Sequence, residues 1–302
     1  MNEQTLDFYN RTNLKSYNLN ESMRYQLNML DQLDVFTRKH SENVASITCR
    51  LCEYLHCNQK TTEYCTICAY LHDIGKQFIP PKILQKTGPL TDEEFEVMKT
   101  HTTIGYEMCM KDLKLRPYAP GPLYHHEALD GSGYPQGLTK KDIPYEIQIV
   151  KVADEYDAIV SKRQYKSHIG ISDTLKIIIG QTIPSQNSKY GKIDPKIVKA
   201  LIKVVLDDIT YEINCTQEYV NSLKNELSRF EQIEIYKEKM ENSKTDKKKN
   251  YYLEGIKLLL QKNETLENYP EIYEEYKPAY KKRKEEIDNL YKEIKIIKKL
   301  KV

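Results

Sequence analysis

The chain has 302 residues, enough for one large domain with an extension, and 39% of them are hydrophobic against 30% charged. A formal net charge of +2 does not indicate binding to a nucleic acid polymer. No apolar run approaches the roughly 18 residues of a membrane-spanning helix, and "MNEQTLDFYN" at the N-terminus lacks the features of a signal peptide. We therefore expect a cytoplasmic protein without a membrane span.

Apolar residues recur at helical spacing along most of the chain, with little strand-like alternation. In chain order, this spacing predicts helices at residues 24–56 with a break near Asp34, 61–75, 91 toward 111, 144–161, from about 172, and from 195. Thr91 and Glu94 form a capping box, and Asp194 precedes Pro195 as the N-cap of the last of these helices. The predicted fold class is all-α.

The composition changes at about Asp208, after which Lys, Glu and Tyr dominate. We expect three segments: a short lead-in (1–24), a helical domain (25–207) and a charged helical C-terminal extension (208–302). "NSKTDKKKN" predicts a flexible break within the extension. A heptad-like apolar stripe follows at Ile287, Leu290, Ile294 and Ile297. The stripe predicts a helical hairpin that packs on the domain or on itself, with a homodimer or a partner-binding surface as the alternative.

Two pairs of cysteines have the spacing of a zinc site: Cys49, Cys52, Cys65 and Cys68. The residues between the pairs lack the glycine and proline turns of such sites, and both pairs lie within apolar helical patterns. We therefore interpret these cysteines as small buried hydrophobic residues, with a zinc ribbon as the alternative.

Seven potential metal ligands occur at separate points along the chain: His40, His72, Asp73, His101, His125, His126 and Asp154. Each lies in or beside an apolar helix, where an unpaired polar group costs about 1–3 kcal/mol. Singly, each has a structural explanation as a hydrogen-bonded histidine or a polar helix position. Together, imidazole and carboxylate donors predict a site for iron, manganese or zinc.

The doublet His72 and Asp73 indicates two ions, because neighbouring helical residues diverge by about 100° and cannot easily face one ion. A carboxylate of Asp73 can bridge two cations, an arrangement that hydrolyses phosphodiesters. Lys76 follows close enough to direct its ammonium toward a phosphate oxygen. A surface lysine after a helix end is the alternative for Lys76.

Two motifs resemble those of a known family. "LHDIGK" at residues 71–76 is similar to the core motif of HD-superfamily metal phosphohydrolases, and "HHEALDGSGYP" at residues 125–135 to the motif of the HD-GYP subfamily. The resemblance continues through "VADEYDAIVSKRQYK" and "GKIDPKIVKALIKVV" and covers roughly residues 25–207. It implies an HD-superfamily helical bundle that hydrolyses cyclic di-GMP to linear pGpG and often on to GMP.

The resemblance also implies roles for individual residues. The ligands of one metal are His40, His72, Asp73 and Asp154. The ligands of the other are His101, His125 and His126, with Asp73 bridging. The residues implied to contact substrate phosphates are Lys76, Arg163 and Lys166. We expect two divalent ions, iron or manganese, because Phe36 stands four residues before His40, where some members have the glutamate of a third metal.

The segment after His126 predicts a tight turn beside the substrate. Gly131 and Gly133 can adopt positive φ, and Pro135 fixes the exit of the chain. Tyr134 is expected to shape this loop.

Three carboxylates near the ligands have supporting roles in this interpretation. Glu127 and Asp130 orient histidine N–H groups or hydrogen-bond the loop. Asp157 is a further supporting residue, placed to pair with Arg163.

The predicted function is a metal-dependent phosphodiesterase of cyclic di-GMP or a related cyclic dinucleotide, since the motifs do not separate guanine from adenine. One alternative is a non-catalytic adaptor that binds the nucleotide or a diguanylate cyclase through the Gly-Tyr-Pro loop. That alternative predicts erosion of the ligand set, yet all seven positions are present. The other is a generic HD phosphohydrolase of mononucleotides, which "GSGYP" disfavours.

Overall fold

A computed structural model describes Tyr17 and residues 19–161 and 170–302, with Ser22 described by its backbone alone. Most of the predicted lead-in, residues 1–16, and the polar segment 162–169 lie outside the described residues. Within the described ranges the secondary structure is helical, and the β pairing consists of one isolated bridge between Asp130 and Thr139. The predicted all-α class is confirmed.

The first part of the chain forms short and medium helices: α1 (Glu21–Leu27), α2 (Val35–Tyr54), α3 (Gln59–Leu71), α4 (Pro81–Leu84), α5 (Asp92–Lys99), α6 (His101–Lys111), α7 (Pro120–Tyr124), α8 (Tyr145–Val160) and α9 (Ile171–Gly180). Short 3-10 helices occur at Asn28–Gln32, Ile74–Phe78 and Arg116–Tyr118. The long helices α2, α3 and α8 pack against one another.

Local capping decides where these helices begin. The Asp34 carboxylate accepts hydrogen bonds from the amides of Phe36 at 3.0 Å and Thr37 at 3.1 Å, so α2 starts at Val35 and the predicted break is confirmed. The predicted capping box at the start of α5 is also present.

The predicted extent of α3 is wrong at its C-terminal end. The α-helix ends at Leu71 rather than at Gly75, and a 3-10 turn follows Asp73. A Cβ atom on Gly75 would lie 2.0 Å from the His101 carbonyl oxygen. The chain therefore leaves α-helical geometry early, at the point where the start of α6 packs against it.

The core between α2, α3 and α8 is aliphatic and includes fully buried Leu51, Ile67 and Val152. Three of the four cysteines with zinc-like spacing are buried: Cys52, Cys65 and Cys68. Among the described residues, the side-chain groups close enough to hold a metal contain no cysteine. This agrees with the interpretation of the cysteines as buried hydrophobic residues.

The contacts divide the chain into two units: residues up to Val205 together with Lys299–Val302, and Leu206–Lys298. The last helices are α10 (Pro195–Glu241), α11 (Asp246–Leu259) and α12 (Tyr269–Ile297). The break between helices is shorter than predicted and comprises residues 242–245, because the lysine-rich part of "NSKTDKKKN" is helical.

Within the second unit, the buried side chains of Phe230, Ile233, Ile256 and Tyr269 form a hydrophobic cluster. Ile287 and Ile297 of the predicted apolar stripe are buried as well. No helix in the described part of the chain combines the length and apolarity needed to cross a bilayer.

Candidate metal centre

The seven predicted ligands lie on, or directly after, α2, α3, α6, α7 and α8. Two groups have donor atoms within 4.8 Å of one another: His40, His72 and Asp154 in one, and His101, His125 and His126 in the other. The long helices bring His40, the end of α3 and Asp154 together, whereas the close approach at Gly75 brings His101 to the same place.

Asp73 stands between the two groups, and each of its oxygens faces a different one. The Oδ2 atom is 3.2 Å from His72 Nε2 and 3.8 Å from His40 Nε2. The Oδ1 atom is 3.5 Å from His101 Nε2 and 3.8 Å from His125 Nε2. Asp73 would therefore be able to contribute one oxygen to a cation in each group.

Three of the histidines are held by the same kind of contact with the end of a helix. In each, Nδ1 lies within hydrogen-bond distance of the carbonyl of the residue three positions earlier: His72 with Ala69 at 2.6 Å, His101 with Met98 at 2.7 Å, and His125 with Pro122 at 2.8 Å. Those carbonyls lie in the last turns of α3, α5 and α7, where regular intrahelical partners are missing. Donation from Nδ1 directs the Nε2 lone pair toward the centre.

His40 is held by carboxylates instead. Its Nδ1 is 2.7 Å from Asp157 Oδ2, and its Nε2 is 3.0 Å from Asp154 Oδ1. The other Asp157 oxygen accepts hydrogen bonds from Asn43 at 3.1 Å and Ser161 at 2.8 Å. Asp157 therefore orients the His40 ring.

Sequence reasoning missed Asn43 and Ser161. Their spacing held a signal, since Asn43 is one helical turn after His40 and Ser161 one turn after Asp157. The predicted pairing of Asp157 with Arg163 lies outside the described residues.

Burial and neighbouring charges set the protonation of the centre. Burial, followed by the nearby His126, holds the pKa of His125 well below its usual range. Burial also lowers the pKa of His126 and His101. These imidazoles are therefore neutral near pH 7, the form that binds a cation.

In the group that contains His40, and at Asp73, neighbouring charges and hydrogen bonds outweigh the effect of burial on the pKa. Burial would lower the pKa of His40, but its hydrogen bonds to Asp154 and Asp157 outweigh burial and raise the pKa to about 9. Burial would raise the pKa of Asp73, but the adjacent His72 and Lys76 hold it well below its usual range. Asp73 is therefore an anion although it is buried.

The donor set fits a metal centre. Within the described ranges, His72 Nε2 and Asp73 Oδ1 are buried and lack a hydrogen-bond partner. Each such atom costs about 1–3 kcal/mol, which coordination of a cation would offset. Imidazole nitrogen and carboxylate oxygen together suit a divalent transition metal.

The chain matches the HD domain family over residues 24–196, a range that contains all seven ligand positions. It belongs to the HD domain family. The match confirms the family predicted from "LHDIGK" and "HHEALDGSGYP".

Known relatives of this HD domain protein include proteins named as enzymes. A protein of Thermotoga maritima named "Cyclic di-GMP phosphodiesterase" is 40% identical over 59% of this chain and 47% of its own length. The response regulator RpfG of Xanthomonas campestris, named as a cyclic di-GMP phosphodiesterase, is 35% identical over 58% of this chain and 45% of its own. The chain therefore spans about half the length of these curated relatives.

One solved structure similar to this HD domain is Bd1817 of Bdellovibrio bacteriovorus, described as a "HDG"Y"P protein". It covers 58% of this chain and 53% of its own at 21% identity, with a TM-score of 0.47.

Two predicted substrate-binding residues border the HD centre. Lys76 Nζ lies 2.5 Å from Asp73 Oδ2, and the lysine side chain is 22% exposed. Tyr134 stacks on His126 with ring centroids 4.6 Å apart. The other two, Arg163 and Lys166, lie outside the described residues.

Carboxylates stabilise the loop that follows His126 in this HD domain. Glu127 is buried and accepts hydrogen bonds from the amides of Gln136 at 2.7 Å and Leu138 at 2.8 Å. Asp130 accepts hydrogen bonds from the amide and hydroxyl of Ser132. Of the two predicted roles for Glu127 and Asp130, these contacts match hydrogen bonding of the loop.

The prediction of positive φ is confirmed at Gly131, where φ is 82°, and is wrong at Gly133. Gly133 is required for a different reason. A Cβ atom there would lie 2.3 Å from the Ala128 nitrogen and 2.5 Å from the Glu127 Cα. The absence of a side chain at Gly133 allows the loop to fold back onto the segment that carries the ligands.

Proposed function

We propose that this protein is a metal-dependent phosphodiesterase that hydrolyses cyclic di-GMP to linear pGpG, with hydrolysis either ending there or continuing to GMP. The observation that carries the proposal is the position of Asp73, whose two oxygens face two separate groups of imidazoles. A single buried carboxylate between two such groups is suited to two neighbouring cations, and we propose iron or manganese.

Two bound cations would supply an activated water and stabilise charge on the phosphate. The chain itself positions the reactants. The imidazoles of the two groups, in their deprotonated form, and the carboxylates of Asp73 and Asp154 would hold the cations. To the Lys76 ammonium beside Asp73 we assign the contact with the scissile phosphate. Tyr134 borders the same opening, and we assign the remaining phosphate contacts to Arg163 and Lys166.

The names of the relatives in Thermotoga maritima and Xanthomonas campestris support cyclic di-GMP as the substrate. The presence of all seven ligand positions supports an enzyme over a non-catalytic adaptor. The domain division at residues 25–207 and 208–302, a cytoplasmic location, a homodimer, and binding of a diguanylate cyclase through the loop or the C-terminal helices all remain predictions.

The decisive experiment is incubation of metal-loaded protein with cyclic di-GMP, with pGpG and GMP followed by chromatography. The proposal expects pGpG to form first. An adaptor would bind the nucleotide and release neither product, and a mononucleotidase would leave the ring closed. Parallel reactions with cyclic di-AMP and the mixed guanine–adenine dinucleotide determine base preference. Elemental analysis of anaerobically purified protein identifies the metals.

A further inference from the structure

Helix α5 lies directly before the ligand His101, yet it contributes nothing to the core. None of its residues, Asp92–Lys99, is buried, and its start is fixed by its own capping box. Phe95 on this helix is 43% exposed. Core packing therefore does not account for an aromatic side chain at this position.

The ring of Phe95 is connected to the metal centre through Tyr134. The Phe95 and Tyr134 rings meet edge to face, with centroids 6.1 Å apart and an interplanar angle of 80°. Tyr134 in turn stacks on His126 at 4.6 Å and 29°. Three rings thus lead in sequence from a predicted ligand to a partly exposed aromatic surface.

A cationic group lies against the same rings. The Lys99 Nζ atom is 4.9 Å from the centroid of Phe95 and 5.7 Å from that of Tyr134. Its ion pair is with Glu96 Oε1 at 2.7 Å, and the Glu96 side chain is 70% exposed. An ion pair of this kind is weak, so the Lys99 ammonium can exchange Glu96 for an incoming anion at little cost.

We propose that Phe95 and Lys99 form a binding wall for the nucleotide half that is not being cleaved. In this arrangement a base stacks on Phe95 while Lys99 contacts the second phosphate of the dinucleotide. The chemistry is that of single-stranded nucleic acid sites, where aromatic faces receive bases and basic groups follow the backbone. The inference rests on the proposed function, and it assigns the wall to two residues outside the motifs.

The test compares Phe95→Ala and Lys99→Ala with the wild-type protein. For cyclic di-GMP, Phe95→Ala is expected to raise KM by about 5- to 100-fold with little change in kcat, the range found when a base loses its aromatic partner. Hydrolysis of methyl p-nitrophenyl phosphate, which has no aromatic group on the half that is not cleaved, is expected to stay unchanged. Lys99→Ala is expected to raise KM and to make it less dependent on salt.

Matched variants separate the wall from general damage to α5. Phe95→Tyr keeps the ring and Lys99→Arg keeps the charge, so both variants should retain the wild-type KM. Val97→Ala removes a comparably exposed apolar side chain, 38% against 43%, from the same helix and should have no effect. Circular dichroism confirms that each variant is folded.

A second measurement distinguishes failure of the wall from failure of the proposed function. The Kd of cyclic di-GMP is measured on chelator-treated protein, in which turnover is stopped. An unchanged KM and Kd in Phe95→Ala would overturn the wall and leave the phosphodiesterase intact. If wild-type protein binds cyclic di-GMP without cleaving it, and Phe95→Ala loses that binding, the result would support the wall and overturn the proposed activity. Wild-type protein that neither binds nor cleaves would overturn both.

Discussion

Asp73 is the residue on which both groups of donors depend. It is 1% exposed and still ionised, because the imidazoles and Lys76 around it outweigh the unfavourable effect of burial. Its two oxygens face separate groups.

Replacing Asp73 with Ala is therefore expected to remove metal and turnover together. We expect turnover to fall by at least about 100-fold, since both functions of the cations are lost. The measurements are the rate of pGpG release and the metal content of the purified variant. Asp173→Ala, which changes an exposed aspartate on α9, is the control. Retained turnover with unchanged metal content would contradict the assigned mechanism.

Asp157 supports His40 without belonging to either group of donors. Asp157→Ala is expected to weaken metal binding by about 10- to 100-fold, as is typical when a ligand histidine loses the carboxylate that orients it. Competition with a chromogenic chelator measures this affinity. Asp130→Ala removes a carboxylate whose described hydrogen bonds stay within the loop and should bind metal normally. Equal affinities in the two variants would rule out the orienting role of Asp157.

Among single residues, the seven candidate ligands could be predicted from residue type and from the two motifs, and the structure brings their donor atoms together. The partners of the histidine Nδ1 atoms could not, because they depend on where α3, α5 and α7 end and on side-chain torsions. Phe36, four residues before His40, is 71% exposed, and the expectation of two metals drawn from it stays a prediction.

Among the elements, the 3-10 turn Ile74–Phe78 determines how closely α6 approaches Asp73. A Cβ atom at Gly75 would meet the His101 carbonyl oxygen at 2.0 Å and the Gly105 nitrogen at 2.7 Å. Both neighbours are backbone atoms, so the helix itself would have to move. This contact places His101 within reach of Asp73 Oδ1.

Gly75→Ala is thus expected to destabilise the fold by about 1–3 kcal/mol, the usual cost of overpacking, and to weaken metal binding. Gly88→Ala is the matched control, because nothing lies within 4 Å of a Cβ atom at that position. Urea unfolding and metal titration of the two variants test the comparison. If both variants lost the same stability, close packing at Gly75 would not be the cause.

The starts of helices were more predictable than their ends. Asp34 and the Thr91–Glu94 pair act through bonds to amides two or three residues away, so the local sequence contains the whole signal. The 3-10 turn after α3 packs against His101, which is distant in the sequence. Neither helical periodicity nor the glycine itself indicates that contact.

For the whole molecule, the change in composition at Asp208 proved not to be a helix boundary. Helix α10 runs from Pro195 to Glu241, and buried apolar residues continue along it at Ile209, Ile213, Val220 and Phe230. The change in composition reflects the residues exposed to water. The continuity of the helix depends instead on the helical spacing of the apolar residues, and this spacing does not change at Asp208.

Phe230→Ala tests whether the chemistry is confined to residues 25–207. Loss of this fully buried ring from its cluster is expected to destabilise the unit Leu206–Lys298 by about 3–5 kcal/mol. Hydrogen exchange of the amides of α10 to α12 should accelerate, while hydrolysis of cyclic di-GMP at 25 °C stays unchanged. Tyr219→Ala, at a half-exposed position on α10, is the control. A parallel loss of hydrolysis would show that the extension is required for activity.

The imidazoles of His72, His101 and His125 also cap the C-terminal ends of three helices, because the Nδ1 of each donates a hydrogen bond to a carbonyl in the last turn. Fraying at any of these ends would rotate a donor away from the centre. Cations held by these rings, one in each donor group, would in turn keep those ends wound, and they would stabilise secondary structure as well as take part in the reaction.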